Sequence, residues 1–205
     1  MHKPDLTYES KFSGTVAGID EAGRGPWAGP VVAAAVILPI GNPPRGLNDS
    51  KKLSKKKREE LFITIQETCQ IGIGIADVTE IDQLNILQAS LLAMRRALID
   101  LNPKPDACLV DGNKDPQLNM PTLCIVKGDG KSLSIAAASI IAKVSRDKIM
   151  ADLSQDYPHY DWQKNSGYGV PKHREALRLV GISPHHRKSF APIRKLLDEE
   201  KYTSY

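Results

Sequence analysis

The stretch Thr15-Val-Ala-Gly-Ile-Asp20-Glu21-Ala-Gly23-Arg24-Gly25-Pro-Trp-Ala-Gly29-Pro30 decides how the rest of the chain is read. An apolar run ends in two adjacent acids, a glycine-spaced arginine follows, and a second apolar run covers Val31 to Leu38. Two short apolar runs bounded by glycine and proline read as two strands joined by a turn. A strand that ends in paired carboxylates and turns back through glycines suits a site that grips a divalent metal against a phosphate. Gly23, Gly25 and Gly29 carry no side chain, so the loop backbone can come close to a ligand. Arg24 adds a charged fork that fits phosphate.

Three other readings compete. A surface turn tolerates Asp-Glu and glycines without any function. The Gly18 to Gly23 spacing imitates a phosphate-binding P-loop, but the Lys-Ser/Thr ending is missing and two acids would repel phosphate unless a metal intervened. Gly23-x-Gly25-x-x-x-Gly29 is one residue too long for the dinucleotide fingerprint. The plain turn leaves the closeness of the acids to Arg24 unexplained, and the metal reading is preferred.

A chain of 205 residues can bury a proper core as one domain or one domain with a small appendage. The net charge of +4 is mild, and its distribution says more. Lys164 to Lys195 holds eight Lys/Arg against the single acid Glu175, together with His173, His185 and His186. Such a stretch is either a solvated face or a surface that tracks phosphates. A second cluster, Lys51, Lys52, Lys55, Lys56, Lys57 and Arg58, reads mainly as a solvated helix face. Cys69, Cys108 and Cys124 have no paired spacing and read as small core residues. There is no signal-like start and no apolar run of membrane-spanning length, so a reducing, cytoplasmic setting is the default.

Apolar runs at about 15–20, 30–38, 70–77, 106–111 and 122–127 predict five strands. Helices are expected over Leu53–Thr68 opening from Ser54, after a cap at Thr79 with Asp82, and over Ile135–Leu153. Two short helices follow, Pro171–Val180 ended by Gly181 and Ile193–Lys201. Three strands and then strand–helix alternation predict a mixed five-stranded sheet flanked by helices, an α/β fold. The expected division is a catalytic domain over 1–157 and a C-terminal helical substrate-binding segment over 158–205 packed on it.

Pro105-Asp-Ala-Cys-Leu-Val-Asp111-Gly112 repeats the opening design, a strand that ends in an acid and a glycine. Asp-Gly is a common turn, but ligands gather where strands end in α/β sheets, and beside the first acid pair Asp111 is read as a metal ligand. Asp129 stands in Lys127-Gly-Asp129-Gly-Lys-Ser132 between a strand and a helix; a P-loop would need glycine where Ile125 stands. An acid approaching a helix is also favoured by the helix dipole. Asp147 competes for the role, but it lies four residues after Lys143, the spacing of a surface ion pair. Carboxylates from three strand ends suit two-metal phosphodiester hydrolysis. Neighbours on a regular strand face opposite ways, so Asp20 and Glu21 are expected to share a site only if the pleat breaks at Gly23 and Gly25.

Taken in order, Gly18-Ile-Asp-Glu-Ala-Gly-Arg-Gly-Pro26, Asp49-Ser-Lys-Lys-Leu53, Val110-Asp-Gly112, Lys127-Gly-Asp129, Ala136-Ala-Ala-Ser-Ile-Ile-Ala-Lys-Val144 and Gly167-Tyr-Gly169 followed by His173 resemble bacterial ribonuclease HII from about Val16 to Pro192. The resemblance implies a ribonuclease H-like fold and endonucleolytic cleavage of the RNA strand of RNA–DNA hybrids. It also implies incision 5′ of single ribonucleotides embedded in duplex DNA, with Mn2+ or Mg2+ as cofactor and 3′-hydroxyl and 5′-phosphate products. By motif, Asp20, Glu21, Asp111 and Asp129 match the four catalytic and metal-binding acids. Gly23, Arg24 and Gly25 match the element that recognises the ribonucleotide, and Tyr168 matches the tyrosine that packs on its sugar. Lys51 and His173 are further candidates for substrate binding, and a monomer is expected. Type HIII relatives carry an extra N-terminal domain, and the fourteen or so residues before the first strand argue against that type.

A 2′-hydroxyl both donates and accepts hydrogen bonds, so polar groups near the minor groove can read it. Without the basic surroundings, Tyr168 would read as a half-buried packing residue. Two other classes remain: a non-catalytic nucleic-acid-binding module, which has no use for acids at strand ends, and a phosphotransferase on small substrates, which does not need two basic stretches.

Overall fold

The computed structural model describes residues 3–203. Five strands form one mixed sheet: β1 (Val16–Ala22), β2 (Val31–Ile37), β3 (Gln70–Ala76), β4 (Ala107–Asp111) and β5 (Thr122–Ile125), in the spatial order β3-β2-β1-β4-β5. β1 and β3 run antiparallel to β2, whereas β1, β4 and β5 are mutually parallel neighbours. Every residue of β2 is buried, as its unbroken Val-Ala-Ile sequence requires of a strand covered on both faces. The fold is the ribonuclease H-like α/β architecture expected from the sequence.

One face of the sheet packs on α3 (Ile86–Asp100) through Ala17, Ile19, Ala33 and Ala35. The other packs on α1 (Lys55–Thr68) and on the 24-residue α4 (Leu133–Asp156) through Ala34 and Val36. The alanines Ala136, Ala137, Ala138 and Ala142 let α4 lie close to the strands. Gly18 completes that fit, because a Cβ there would collide with the backbone of Ser134 and Ile135.

Ser54 caps α1 through Lys57 N–H, as its position before the helix led us to expect. The expected cap at Thr79 is displaced. α2 (Val78–Leu84) starts from Asp77, whose carboxylate accepts from Glu80 N–H while Glu80 reaches back to Asp77 N–H. The single helix inferred there is two, broken at Asn85, which takes φ 72° and caps α3 by accepting from Leu87 and Gln88. Asparagine tolerates this left-handed geometry, and its side chain replaces the lost helix bonds.

Beyond α4 the chain contains no further named strand within the described residues. It runs through α5 (Trp162–Asn165), α6 (Pro171–Val180) and α7 (Ala191–Thr203). α6 has the expected bounds, with Gly181 at its end. Tyr160, Trp162, Met150, Leu177 and Ile193 join α4 to this region in a separate apolar cluster. Asp82 on α2 accepts from Lys188 N–H, Ser189 N–H and the Ser189 hydroxyl, which pins the approach to α7.

Candidate active site

The register pairs Ile19 with Val110, so Asp20 and Asp111 emerge together at one edge of the two middle strands. β1 does not break its pleat there: Asp20, Glu21 and Ala22 still pair with Ala34, Ala33 and Val32. The expected break is therefore corrected. Asp20 and Glu21 point to opposite faces, and the site wraps around the end of the sheet instead. On the α4 side an open cleft of about 650 Å³ is lined by Asp20, Glu21, Asp111, Lys51, Ser139, the 23–25 loop and Tyr168. On the α3 side a smaller cavity of about 150 Å³ shares Glu21, Arg24 and Asp111 with Leu87, Ser90 and Met94.

The acids are held by specific partners. Asp20, 6% exposed, accepts from Glu21 N–H at 2.7 Å. Asp111 accepts from Gly128 N–H at 2.6 Å, which fixes the loop that carries Asp129. Glu21 meets Arg24 at 3.3 Å through Oε1, while its buried Oε2 has no hydrogen-bond partner. Burial, and then the charges of Glu21, Asp111 and Asp129, push the Asp20 carboxyl well above the usual range. Glu21 is raised by burial and by Asp111 despite the opposing pull of Arg24. Asp129, also buried, is raised by burial and by Asp49 and Asp111, against Lys51. Burial lowers the Lys51 ammonium, but Asp20, Asp129, Asp49 and Asp111 outweigh it and leave the group raised.

Mutual repulsion among buried carboxylates is what a divalent cation relieves. Among the described residues, no three acidic, histidine or cysteine side chains stand already arranged around an ion. The Asp20 and Asp111 oxygens are turned to backbone N–H groups and one Glu21 oxygen to Arg24. All-oxygen donors of this kind fit Mg2+ or Mn2+, and the unpartnered Glu21 oxygen supplies a free ligand atom.

Tyr168 is 47% exposed, and its ring stands beside Gly25. Gly23 has φ 102°, and a Cβ there would strike the Arg146 side chain. His173, expected to meet substrate, is fully buried. It bonds Tyr168 O, His186 and Trp162 at 2.9, 2.9 and 3.3 Å, so it supports the Tyr168 segment from behind. Asp147 pairs with Lys143 at 2.7 Å, as the spacing suggested, and also accepts from Ser166. Of the eight basic residues from 164 to 195, seven are exposed and Arg187 is buried. Beside the main cleft lies another of about 330 Å³, which brings Lys55, Arg58, Lys143, Lys148 and Lys164 together. Sequence reasoning overlooked Asp49 as an electrostatic neighbour of Asp129, and Ser139, Arg146 and Arg187. Asp49, Ser139 and Arg187 stand in the motifs and the basic stretch quoted above, but only long-range contacts show what they do, and nothing in the local sequence marks Arg146.

A mixed sheet whose middle strands deliver carboxylates to a cleft rimmed by arginine and lysine defines an α/β, metal-dependent phosphodiester hydrolase of the ribonuclease H type. The profile of the ribonuclease HII family matches residues 17–193. Ribonuclease HII of Magnetococcus marinus is 60% identical to this chain, over 95% of each protein. The ribonuclease H2 structure from Pyrococcus horikoshii superposes with a TM-score of 0.77 at 30% identity, covering 93% of this chain and all of that one. The structure of Bst-RNase HIII in complex with Mn2+ shares the fold, with a TM-score of 0.70 at 22% identity over 92% of this chain and 70% of that one. The chain belongs to the ribonuclease HII family. It is a metal-dependent endonuclease that degrades the RNA of RNA–DNA hybrids.

Proposed function

We propose that this enzyme also incises duplex DNA on the 5′ side of a single embedded ribonucleotide, leaving 3′-hydroxyl and 5′-phosphate ends. One observation carries the reading: the acids Asp20, Glu21 and Asp111 and the ribose-sensing candidates Gly23, Arg24, Gly25 and Tyr168 line the same cleft. Asp20, Glu21, Asp111 and Asp129 would hold two divalent ions, Mn2+ or Mg2+, the former being the ion in the Bst-RNase HIII structure. Bound there, the ions would supply activation of a water nucleophile and neutralisation of charge on the departing oxygen. The chain's own groups do the rest. Asp20 and Asp111, fixed by backbone N–H groups, present their oxygens at one edge. Lys51, which lines the cleft with the acids, offers a cation to the phosphate, and Arg24, half exposed, holds Glu21 and reaches into solvent. The Tyr168 ring, next to Gly25, offers a flat face to a sugar.

The exposed cations from Lys164 to Lys195 and the adjoining lysine-rich cleft suit a duplex backbone, so we assign segment 158–205, whose last two residues lie outside the described ones, to substrate binding. His173 enters this reading through Tyr168 and makes no substrate contact of its own. The enzyme is read as a monomer. Cys69, Cys108 and Cys124 are all unpaired, which agrees with the reducing cytoplasm; no helix among the described residues is long and apolar enough to cross a membrane.

The test is a DNA duplex with one internal ribonucleotide, incubated with Mn2+, with Mg2+ and with chelator. Ion-dependent cutting at the 5′ side of the ribonucleotide, with all-DNA duplex left intact, is expected. Intact substrate with both ions would end the reading, and equal cutting of all-DNA duplex would remove the ribose-sensing role of Arg24 and Tyr168.

A further inference from the structure

Arg146 and Arg187 are 1% and 0% exposed, and among the described residues neither forms an ion pair with an acid. Asp147 and Asp82 act on them only through space. Buried cations without a paired acid are costly, and they persist where the surroundings hold them in place. Their donors go to backbone carbonyls of one short loop and the segment beside it. Arg187 Nε donates to Gly29 O at 2.9 Å, Nη1 to Arg24 O at 3.1 Å, and Nη2 to Gly23 O at 2.6 Å and Pro30 O at 3.1 Å. Arg146 donates to Pro30 O, Ala28 O and Ser166 O at 2.9, 3.0 and 2.9 Å. Arg187 therefore gathers the 23–30 loop, and Arg146 joins that loop to Ser166, two residues before Tyr168.

In a planar trans peptide, the C=O of one residue and the N–H of the next point in opposite directions. Arg187 draws the carbonyls of Gly23 and Arg24 inward, so the N–H groups of Arg24 and Gly25 face outward. Neither N–H has an acceptor among the described residues, and both belong to residues that line the acidic cleft. Neighbouring bonds lock the rest of the loop: Trp27 N–H to Gly167 O, Gly29 N–H to His185 O, and Arg187 N–H to Trp27 O.

We infer that Arg187, backed by Arg146, is a positioning residue that presents the Arg24 and Gly25 N–H groups as a preformed donor pair for an oxygen of the substrate ribonucleotide. This rests on the ribose-sensing reading of the cleft given above. Backbone donors fixed before substrate arrives need no reorganisation during the reaction. Lysine cannot replace either arginine, because a single ammonium cannot reach three or four carbonyls in the plane of one fork. Burial, and then Arg146, lower the Arg187 guanidinium to about 9, and burial lowers Arg146 to about 10, so both stay protonated at neutral pH.

The experiment compares wild type, Arg187→Lys and Arg146→Lys on a single-ribonucleotide duplex and on an RNA–DNA hybrid, with Mn2+ binding measured separately by calorimetry. For both variants KM on the single-ribonucleotide duplex is expected to rise about tenfold or more, with Mn2+ affinity unchanged. Combining Arg187→Lys with Tyr168→Ala should add much less than the product of the separate losses, because both act on one recognition unit. Unchanged KM, or a loss of Mn2+ affinity in step with activity, would overturn the inference, the latter because it marks a merely structural role. Amide hydrogen exchange on the wild type needs no variant: Trp27 and Gly29 should exchange as slowly as the β1 core. Exchange as fast as that of exposed turns would also overturn it. If wild type leaves the embedded ribonucleotide uncut, the ribose-sensing reading falls. The positioning role is then decided on the hybrid, where the same rise in KM must appear.

Discussion

Asp111 does two jobs with one carboxylate: Oδ1 accepts the Gly128 N–H at 2.6 Å, and the charge faces Asp20 and Asp129. An Asp111→Asn variant keeps an oxygen for that N–H but removes the negative charge. Hydrolysis of an RNA–DNA hybrid should therefore fall by roughly 10³-fold, the rate equivalent of losing about 4 kcal/mol of charge stabilisation. Binding of the same hybrid in a gel-shift or fluorescence titration should stay within about threefold, because the cations that grip phosphates are untouched. Retained turnover would remove Asp111 from the chemistry. Loss of binding in step with turnover would show that the variant disturbs the fold of the 128–130 turn. Among the acids Glu21 differs, with one oxygen on Arg24 and the other buried without a partner.

At the level of elements, most of the sheet was legible because β-strands announce themselves through local apolar runs, and β2 and β4 do so without ambiguity. The acids at the ends of β1 and β4 were legible for the same reason, since a charge that terminates an apolar run is visible in one dimension. The break between α2 and α3 was hidden: Leu84, Leu87 and Leu91 keep helical periodicity across Asn85, whose left-handed φ is not written in the pattern. The unbroken pleat under Asp20 and Glu21 was hidden too, because pairing with β2 is a tertiary fact. His173 was a candidate for substrate binding because it follows Gly167-Tyr-Gly169 within the basic stretch from Lys164 to Lys195. In the fold its ring lies inward against Tyr160, Trp162 and His186.

That inward cluster has a pH consequence. His186 is fully buried, and burial, together with His173 nearby, lowers it to about 3. A base whose folded pKa lies below its unfolded value of about 6.5 takes up protons first in the unfolded chain. Its contribution to stability is complete above pH 6.5 and is lost as pH falls below that value. Between pH 7 and pH 5 this loss is about 2 kcal/mol, from 1.36 kcal/mol per pH unit once the unfolded imidazole titrates. Denaturant unfolding at the two pH values should show it in wild type and lose most of it in His186→Gln. Equal pH dependence in the two proteins would mean that the ring is already charged when folded.

On the scale of the molecule, the sheet, α4 and the C-terminal helices converge on a site that opposes their own stability. Asp20 is raised by burial first and then by Glu21, Asp111 and Asp129. For an acid whose folded pKa lies above its unfolded value, the favourable contribution is complete below the unfolded pKa and is lost as pH rises through the folded one. At neutral pH the buried acid therefore subtracts from stability, an instance of function held at the expense of the fold. Asp20→Asn keeps the oxygen that accepts Glu21 N–H at 2.7 Å while removing the charge. In chelator at pH 7.5 the variant should melt higher than wild type, by about 2–4 °C for each kcal/mol recovered in a chain of this size. Added Mn2+ should raise the wild-type midpoint, since an ion at 100 times its Kd adds about 2.7 kcal/mol, and should raise the variant's far less. Repeating the melts near pH 4 should close the gap in chelator, because the wild-type carboxyl then carries its proton. A variant that melts lower than wild type in chelator, or one that responds to Mn2+ as wild type does, would show that the buried acids do not repel one another strongly enough to call for a cation.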